Sequence, residues 1–231
     1  MISRSATGVR PHLKVCCIAT IEEAELAIRY GANAIGLVSE MPSGPGVITD
    51  DRIEEIAACI PPGVSTFLLT SSRDVDAIVD QQQRFRVDTI QLCDDLPPEK
   101  ILELRSLMRG VSFIKVIHVA GDKAIDQART AAQAAHALLL DSGDPSKAVK
   151  ELGGTGRIHD WALSRKICDE VEVPVWLAGG LTPENVAEAV RKVRPFGVDV
   201  CSGLRTDGLL NEEKLSRFTQ NLGTSPSSPA P

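Results

Sequence analysis

The fold is indicated most clearly by residues 177–186 (LAGGLTPENV), which are followed shortly by residues 197–203 (GVDVCSG). Each stretch is a short apolar run that continues into glycine and then into residues typical of a helix start. Glycine lets the backbone approach a ligand closely, and amides at a helix N-terminus favour negative charge. Two such elements late in a chain match the phosphate site that (β/α)8 barrels build after strands 7 and 8. We therefore predict a barrel that holds a phosphorylated small molecule.

The rest of the chain repeats a strand-then-helix pattern. Helix starts are indicated by Thr20, Thr49 and Thr182, and helix ends by Gly31 and Gly110. The predicted strands are continuous apolar runs, as expected for a parallel sheet that helices cover. They span residues 13–18, 34–38, 64–69, 89–93, 113–119, 137–141, 175–178 and 198–201. A doubly wound open sheet is the alternative, but eight units and a late glycine pair favour a closed α/β architecture, the (β/α)8 TIM barrel.

Length and composition indicate one domain. The 231 residues fit a single barrel, which typically takes about 250 residues. We predict a barrel over residues 13–222, with a disordered N-terminal arm over residues 1–12 and a disordered Ser/Pro-rich tail over residues 223–231. The Gly/Pro-rich loop at residues 39–47 (SEMPSGPGV) follows the second strand and is expected to face the active site.

Charge and composition narrow the partners. The net charge is −6 with no long basic run, and aromatic residues make up only 3%, which argues against nucleic acid. No apolar run approaches the roughly 20 residues of a membrane span, so no membrane partner is expected. The cysteines show neither secreted-scaffold nor zinc spacing, which predicts a reduced, cytoplasmic protein without a metal. They are Cys16, Cys17, Cys59, Cys93, Cys168 and Cys201.

Two reactive side chains are expected at the carboxyl ends of strands, where barrels place catalytic groups. Cys16 falls near the end of strand 1, with Lys14 on the same face of that strand, and a nearby ammonium favours the thiolate. Asp141 ends strand 6, where a carboxylate after an apolar run is costly unless it meets a ligand or a donor. The alternative interpretations are that Cys16 and Cys17 are small core residues and that Asp141 bonds within the following loop.

Residues 153–156 (GGTG) precede Asp160-Trp161 and add a third glycine-rich turn. Together with residues 179–180 and 202–203, this turn predicts a phosphate-binding site formed by the loops after strands 6, 7 and 8. The alternative is that all three segments are ordinary turns. His118, near the end of strand 5, is within reach of the site, whereas His136 and His159 are expected to be structural or solvated. His12 falls in the arm.

Six motifs in order connect the chain to a known family: residues 14–18 (KVCCI), 91–93 (QLC), 138–141 (LLLD), 153–156 with Asp160-Trp161, 177–186 and 197–203. In these motifs, and over residues 13–222, the chain resembles phosphoribosylanthranilate isomerase. The resemblance implies an Amadori rearrangement of an aminoaldose phosphate to an aminoketose in tryptophan biosynthesis, with no cofactor or metal.

The resemblance also implies roles for individual residues. Cys16 would be the general base and Asp141 the general acid, which requires the two pKa values to be pushed apart from their usual order. The phosphate would be held by Gly154, Thr155, Gly179, Gly180, Ser202 and Gly203. Further substrate contacts are expected from Lys14, Gln91 and Arg205.

The chain departs from the family pattern around the aglycone. The family's Ser-Pro-Arg segment after strand 2, whose arginine pairs with the anthranilate carboxylate, has no arginine here. Cys93-Asp94 stands for the usual His-Gly, residues 204–205 (LR) follow the last Ser-Gly in place of the usual Glu, and Cys17 replaces a glycine. Three arginines are candidates for a relocated cation: Arg52, Arg157 and Arg205.

Three functions follow from these observations. The first is phosphoribosylanthranilate isomerase activity. The second is action on a different phosphorylated aminosugar by an enzyme of the same fold, which the missing arginine favours. The third is a non-catalytic barrel that binds a phosphosugar. In each case the partner is a phosphorylated small molecule, and the chain is expected to be a monomer or a homodimer.

Overall fold

Eight parallel strands close into a barrel, which confirms the predicted (β/α)8 fold. The computed structural model describes residues 10–143, 152, 156 and 158–223. The strands are β1 (His12–Val15), β2 (Ala34–Val38), β3 (Ser65–Thr70), β4 (Thr89–Leu92), β5 (Ser112–His118), β6 (Ala137–Asp141), β7 (Val175–Leu177) and β8 (Gly197–Val200). Each pairs with the next along the chain, and β1 pairs with β8 to close the barrel.

Helices cover the outside of the barrel. Those in the described part of the chain are α1 (Ile21–Arg29), α2 (Asp50–Cys59), α3 (Val75–Phe85), α4 (Pro98–Leu107), α5 (Lys123–Ala132), α6 (Trp161–Glu170), α7 (Val186–Val193) and α8 (Glu212–Gly223). A 3-10 helix at Ser202–Leu204 and a hairpin of β9 (Arg205–Thr206) with β10 (Leu209–Leu210) lie between β8 and α8. None of the described helices is long and apolar enough to span a bilayer.

The predicted strand bounds are close to those observed. Residues 34–38 and 137–141 match β2 and β6, because apolar runs there end where a polar loop begins. The prediction for the first strand was wrong at both ends: β1 begins at His12 and ends at Val15, so Cys16 lies just beyond the strand. Its thiol therefore projects from the rim of the barrel rather than from within a strand.

The predicted arm and tail fall mostly on residues outside those described. The described ones are residues 10–12 and 223. His12 belongs to β1, and its ring stacks on Phe196 with centroids 4.5 Å apart. Gly223 is the last residue of α8, so the tail does not begin there. Arg10 donates to the carbonyl of Thr219 at 3.1 Å.

Helix starts follow the sequence signals in two of three cases. The side chains of Thr20 and Thr49 accept hydrogen bonds from the backbone three residues on, as N-caps do. Thr182 was wrongly predicted to start a helix, because α7 begins only at Val186. The side chain of Asn185 accepts from Thr182 N–H at 2.8 Å and donates to Gly180 O at 2.9 Å. This local side-chain bonding holds a turn ahead of the helix.

The strand register positions the site. β1 and β8 pair so that Lys14 stands opposite Asp199, and both side chains point into the barrel. Below them the barrel is filled by apolar side chains, with Trp176 packed edge-on against Phe67 and Phe196 at centroid distances of 5.7 and 5.6 Å. These aromatic rings therefore fill part of the barrel interior.

Candidate active site

A cavity lies at the carboxyl ends of the strands, and Cys16 and Asp141 both line it. Its empty space is about 660 Å³, a figure that includes the open solvent at its mouth. The loop at residues 39–47 contributes Met41 and residues 43–45 to its wall. The structure thus brings together the thiol and the carboxyl group that the sequence singled out.

Glycine at position 36 leaves room for the Cys16 thiol. A Cβ built at Gly36 would come 2.8 Å from the Cys16 sulfur, closer than real Cβ contacts, and 3.0 Å from the Lys14 ammonium, which is tight. The Cys16 amide donates to Val200 O at 2.9 Å, which fixes the residue at the rim. The thiol and the ammonium therefore lie side by side in space that any larger residue at position 36 would fill.

Lys14 and Asp199 form an ion pair inside the barrel, with Nζ and Oδ1 2.9 Å apart and relative side-chain exposures of 0% and 7%. Burial lowers the pKa of Lys14, but the charges of Asp199 and Cys16 outweigh it, so the net pKa lies above its usual value. The Lys14 ammonium also lies 5.3 Å from the Phe67 ring centroid. The ammonium therefore stays charged beside the Cys16 thiol. Asp199 was not identified from the sequence, although a carboxylate between Val198 and Val200 in a buried strand needs such a partner.

Asp141 has the properties of a general acid. Burial raises its pKa to about 6, and the Asp199 charge adds to this, while hydrogen bonds from Ser142 and the charge of Lys14 oppose it. Its Oδ1 accepts from the Ser142 amide at 2.7 Å, which orients the carboxyl group. A carboxyl with this pKa is protonated in about one-tenth of molecules at pH 7, roughly a hundred times more often than an ordinary aspartate.

A glycine-rich wall faces the acid and the base. Gly179 and Gly180 line the cavity with φ of 81° and 62°, a left-handed conformation that favours glycine. Ser202 begins the 3-10 helix beside them, and a Cβ at Gly156 would lie 3.5 Å from its Oγ. Gly203 does not line the cavity, since it packs against the Leu181 carbonyl, where any Cβ would overlap. The predicted phosphate residues Gly154 and Thr155 lie outside the described residues.

The three remaining predicted contacts differ in position. Gln91 lines the cavity, and its Nε2 donates to the Cys93 sulfur at 3.8 Å. Lys14 lies behind the wall, in contact with Cys16. Arg205 is not a lining residue: its guanidinium pairs with Glu23 at 2.8 Å and donates to the carbonyls of Cys17 and Gly208. Its donors are therefore already engaged within the protein.

None of the other candidate cations and histidines among the described residues supplies a positive charge to the cavity. Arg52 is exposed on α2 and pairs with Glu55 at 2.6 Å, while Arg157 lies outside the described residues. His118, expected to reach the site, instead lines a separate cleft between α4 and α5. Burial lowers the pKa of His159 to about 4, so this ring, close to Gly179, is neutral and supplies no positive charge for an anion. No group of three or more metal-ligating side chains occurs among the residues that the structure describes.

Two of the places where the sequence departs from the family pattern, Cys17 and the loop after β2, are in direct contact in the structure. Cys17 has a left-handed φ of 60°, which explains why glycine suits this position. Gly46, in the loop after β2, packs against it: a Cβ at Gly46 would lie 2.9 Å from both Cα and Sγ of Cys17. The cysteine at position 17 and the small residue in the arginine-free loop therefore depend on each other. Both changes are visible in the sequence, but their contact is not.

Comparison with known proteins gives a consistent result. The family model for N-(5'phosphoribosyl)anthranilate (PRA) isomerase matches residues 13–221. The N-(5'-phosphoribosyl)anthranilate isomerase of Methanocella arvoryzae is 36% identical over 89% of this chain and 94% of its own length. Isomerase 2 of Methanosarcina mazei is 38% identical over 89% of this chain and 91% of its own. The crystal structure of the Thermotoga maritima phosphoribosyl anthranilate isomerase superimposes with a TM-score of 0.80 at 28% identity, covering 92% of this chain and 98% of that one. The chain therefore belongs to the N-(5'-phosphoribosyl)anthranilate isomerase family.

Proposed function

We propose that this chain converts N-(5'-phosphoribosyl)anthranilate to the corresponding aminoketose phosphate in tryptophan biosynthesis. The observation that most supports this is the pairing of a carboxyl with a pKa of about 6 and a thiol beside a buried ammonium, on the wall of one cavity. An aldose–ketose rearrangement needs an acid and a base on the same substrate. Family membership makes this the first choice among such reactions.

Asp141 acts first in the proposed mechanism. It donates its proton to the ribose ring oxygen, the bond between that oxygen and C1 breaks, and a protonated Schiff base forms. Burial raises the protonated fraction of the carboxyl near neutral pH, and the Ser142 amide orients the group through Oδ1. General acid catalysis of this kind contributes about 10²–10⁴-fold to rate.

Cys16 acts second. Its thiolate removes the proton from C2, which gives an enolamine that tautomerises to the ketone. The Lys14 ammonium stabilises the negative sulfur, and Asp199 holds that ammonium in place. Lys14 is thus proposed as a positioning residue behind the base rather than as a substrate ligand.

The phosphate is proposed to bind at the glycine wall. Gly179, Gly180 and Ser202 face the cavity. The family motif adds Gly154 and Thr155, whereas Gly203, which packs against Leu181, is proposed to support this wall rather than to line it. Backbone amides at left-handed glycines form the type of concave surface that binds anions. Binding energy at the phosphate, remote from the reacting carbons, supports the chemistry at C1 and C2.

A different phosphorylated aminosugar is the second candidate substrate. It is favoured by the contact of Gly46 with Cys17, since the loop after β2 offers glycine where the family offers a carboxylate-binding arginine. A bidentate arginine contact is strong and specific, and a backbone glycine does not reproduce it.

The test is turnover of phosphoribosylanthranilate, followed by the loss of anthranilate fluorescence, in wild type, Cys16→Ala and Asp141→Asn. We expect turnover that falls by two or more orders of magnitude in each variant. Wild-type protein that binds inorganic phosphate but does not convert this substrate would favour the second candidate. Full activity in Asp141→Asn would remove Asp141 from the mechanism.

We further propose a cytoplasmic enzyme that works as a monomer or a homodimer. The free cysteines are consistent with a reducing compartment. A solved Thermotoga maritima structure, with a TM-score of 0.77 at 25% identity, is of monomers generated from the dimeric isomerase of that organism. Sedimentation of the purified chain distinguishes the two states.

A further inference from the structure

Three thiols lie together on the wall of the cavity. Cys16 and Cys17 follow β1, and Cys201 follows β8, the strand hydrogen-bonded to β1. The Cys17 thiol interacts electrostatically with the thiols of both Cys16 and Cys201, and all three residues line the same cavity. We propose that Cys17 and Cys201 are a disulfide-forming pair, an oxidation-sensitive site next to the Cys16 thiol.

The protein holds the Cys17 sulfur within this cluster. Gly46 packs on the Cys17 side chain, and the thiol donates to the Pro45 carbonyl at 3.6 Å. The Cys17 carbonyl accepts from Arg205, which Glu23 anchors through a 2.8 Å ion pair. With backbone and side chain both held, little ordering is needed before a bond to Cys201 forms. Because β1 and β8 are hydrogen-bonded neighbours, Cys17 and Cys201 follow adjacent strand ends, and a disulfide needs its two residues that close together.

Cys201 is the more reactive partner. Its hydrogen bond with Cys17 lowers the pKa of Cys201, and the Arg205 charge adds to this against the effects of burial and Asp199. Cys201 is half-buried and lines the cavity, so a small oxidant can reach it. Reactive cysteines typically occur in such partly exposed, electropositive surroundings. The hydrogen bonds to Cys16 and Cys201 raise the pKa of Cys17, as does burial, so it is the resolving thiol.

The oxidant in this proposal is hydrogen peroxide. The Cys201 thiolate attacks one peroxide oxygen, an S–O bond forms as the O–O bond breaks, and hydroxide leaves. Cys17 then attacks the sulfenic sulfur, the S–S bond forms, and the S–O bond breaks. The departing hydroxide takes the proton of Cys17 and leaves as water. The two thiols together lose two electrons, and peroxide gains them.

The Cys17–Cys201 disulfide would remove the Cys17 thiol, which interacts with Cys16. It would also fix both sulfurs on the cavity wall beside Ser202, where the phosphate is proposed to bind. We therefore expect reversible loss of isomerase activity on oxidation. That consequence depends on the proposed function, whereas the disulfide is detected by mass alone, so failure of one is distinguishable from failure of the other.

The experiment treats the full chain with hydrogen peroxide, blocks free thiols, and maps tryptic peptides without reduction. We expect the peptide of residues 15–29 to be linked to the peptide of residues 193–205, and dithiothreitol to release both. The link should persist in Cys16→Ser and in the control Cys59→Ser, which changes an exposed cysteine away from the cavity. It should be lost in Cys17→Ser and in Cys17→Gly; glycine suits the φ of 60° and guards against misfolding.

Two results would overturn the proposal. One is a link that survives in both Cys17 variants but is lost in Cys16→Ser, which would assign the bond to Cys16. The other is peroxide oxidation that produces only sulfenic or sulfinic acid at Cys16, with no linked peptide.

Discussion

Replacing Asp141 with Asn tests the buried carboxyl through stability rather than activity. In the fold, burial raises the pKa of Asp141 to about 6 from an ordinary value of 3.8. An acid whose pKa is higher in the folded than in the unfolded chain weakens stability as pH rises, because folding then requires a buried negative charge. The cost is absent below the unfolded pKa and fully present above the folded one. Asn has nearly the same shape, keeps an oxygen that accepts from Ser142, and does not ionise.

The pKa values set the magnitude. The difference between 3.8 and about 6 corresponds to roughly 3 kcal/mol in the free energy of unfolding. Relative to wild type, Asp141→Asn should therefore gain on the order of 2–3 kcal/mol between about pH 4 and about pH 8, with most of the change between the two pKa values. The active-site carboxyl is thus expected to destabilise the protein at neutral pH.

Urea unfolding at a series of pH values and constant ionic strength measures this difference. Asp80→Asn, which changes an exposed aspartate on α3, is the matched control, and its difference from wild type should stay flat with pH. A difference for Asp141→Asn that does not change with pH, or one that falls as pH rises, would show that Asp141 has no raised pKa in the fold.

Three further predictions follow from the same contacts. The kcat/KM of wild type should decline above about pH 6, because Asp141 loses its proton there. The residual activity of Asp141→Asn should not show that decline. A wild-type kcat/KM that does not change with pH would contradict the role of Asp141 as the acid. Asp199→Asn leaves the buried Lys14 ammonium unpaired and should lower the free energy of unfolding by about 3–5 kcal/mol. The control Glu55→Gln breaks an exposed ion pair and should cost under about 1 kcal/mol. Equal losses of stability in thermal melting would contradict this prediction. Gly46→Ala should destabilise the protein because the new Cβ clashes with Cys17. Adding Cys17→Gly to that variant should restore about 0.5–3 kcal/mol of the lost stability. If the two substitutions have additive effects on the free energy of unfolding in urea, the two residues do not interact.

Periodicity was enough to predict the barrel but not every boundary. Apolar runs that end in polar loops gave β2 and β6 their observed bounds. At Thr182 a helix-start signal was misleading, because the Asn185 side chain bonds to nearby backbone and delays α7. Local side-chain bonding of this kind competes with helix formation in ways that residue type alone does not show.

Contacts between distant residues were out of reach of the sequence. The residues Cys16 and Asp141 were identifiable because each follows an apolar run at a strand end. The partner of Lys14 was not, since Asp199 lies at the other end of the chain and meets it only through the β1–β8 register. The surroundings of Arg205 were out of reach for the same reason: its ion pair with Glu23 depends on how the hairpin after β8 folds back onto α1.

The most direct measurement follows a deuterium label at C2 of phosphoribosylanthranilate during turnover. Because a thiolate is proposed to pull that hydrogen off as a proton, wild type should release the label to solvent as product forms, with a primary isotope effect on the rate. Release should cease in Cys16→Ala, in a protein that melts at the wild-type temperature. Product that retains the label at C1, or release at the wild-type rate without the Cys16 sulfur, would contradict the role of Cys16 as the base.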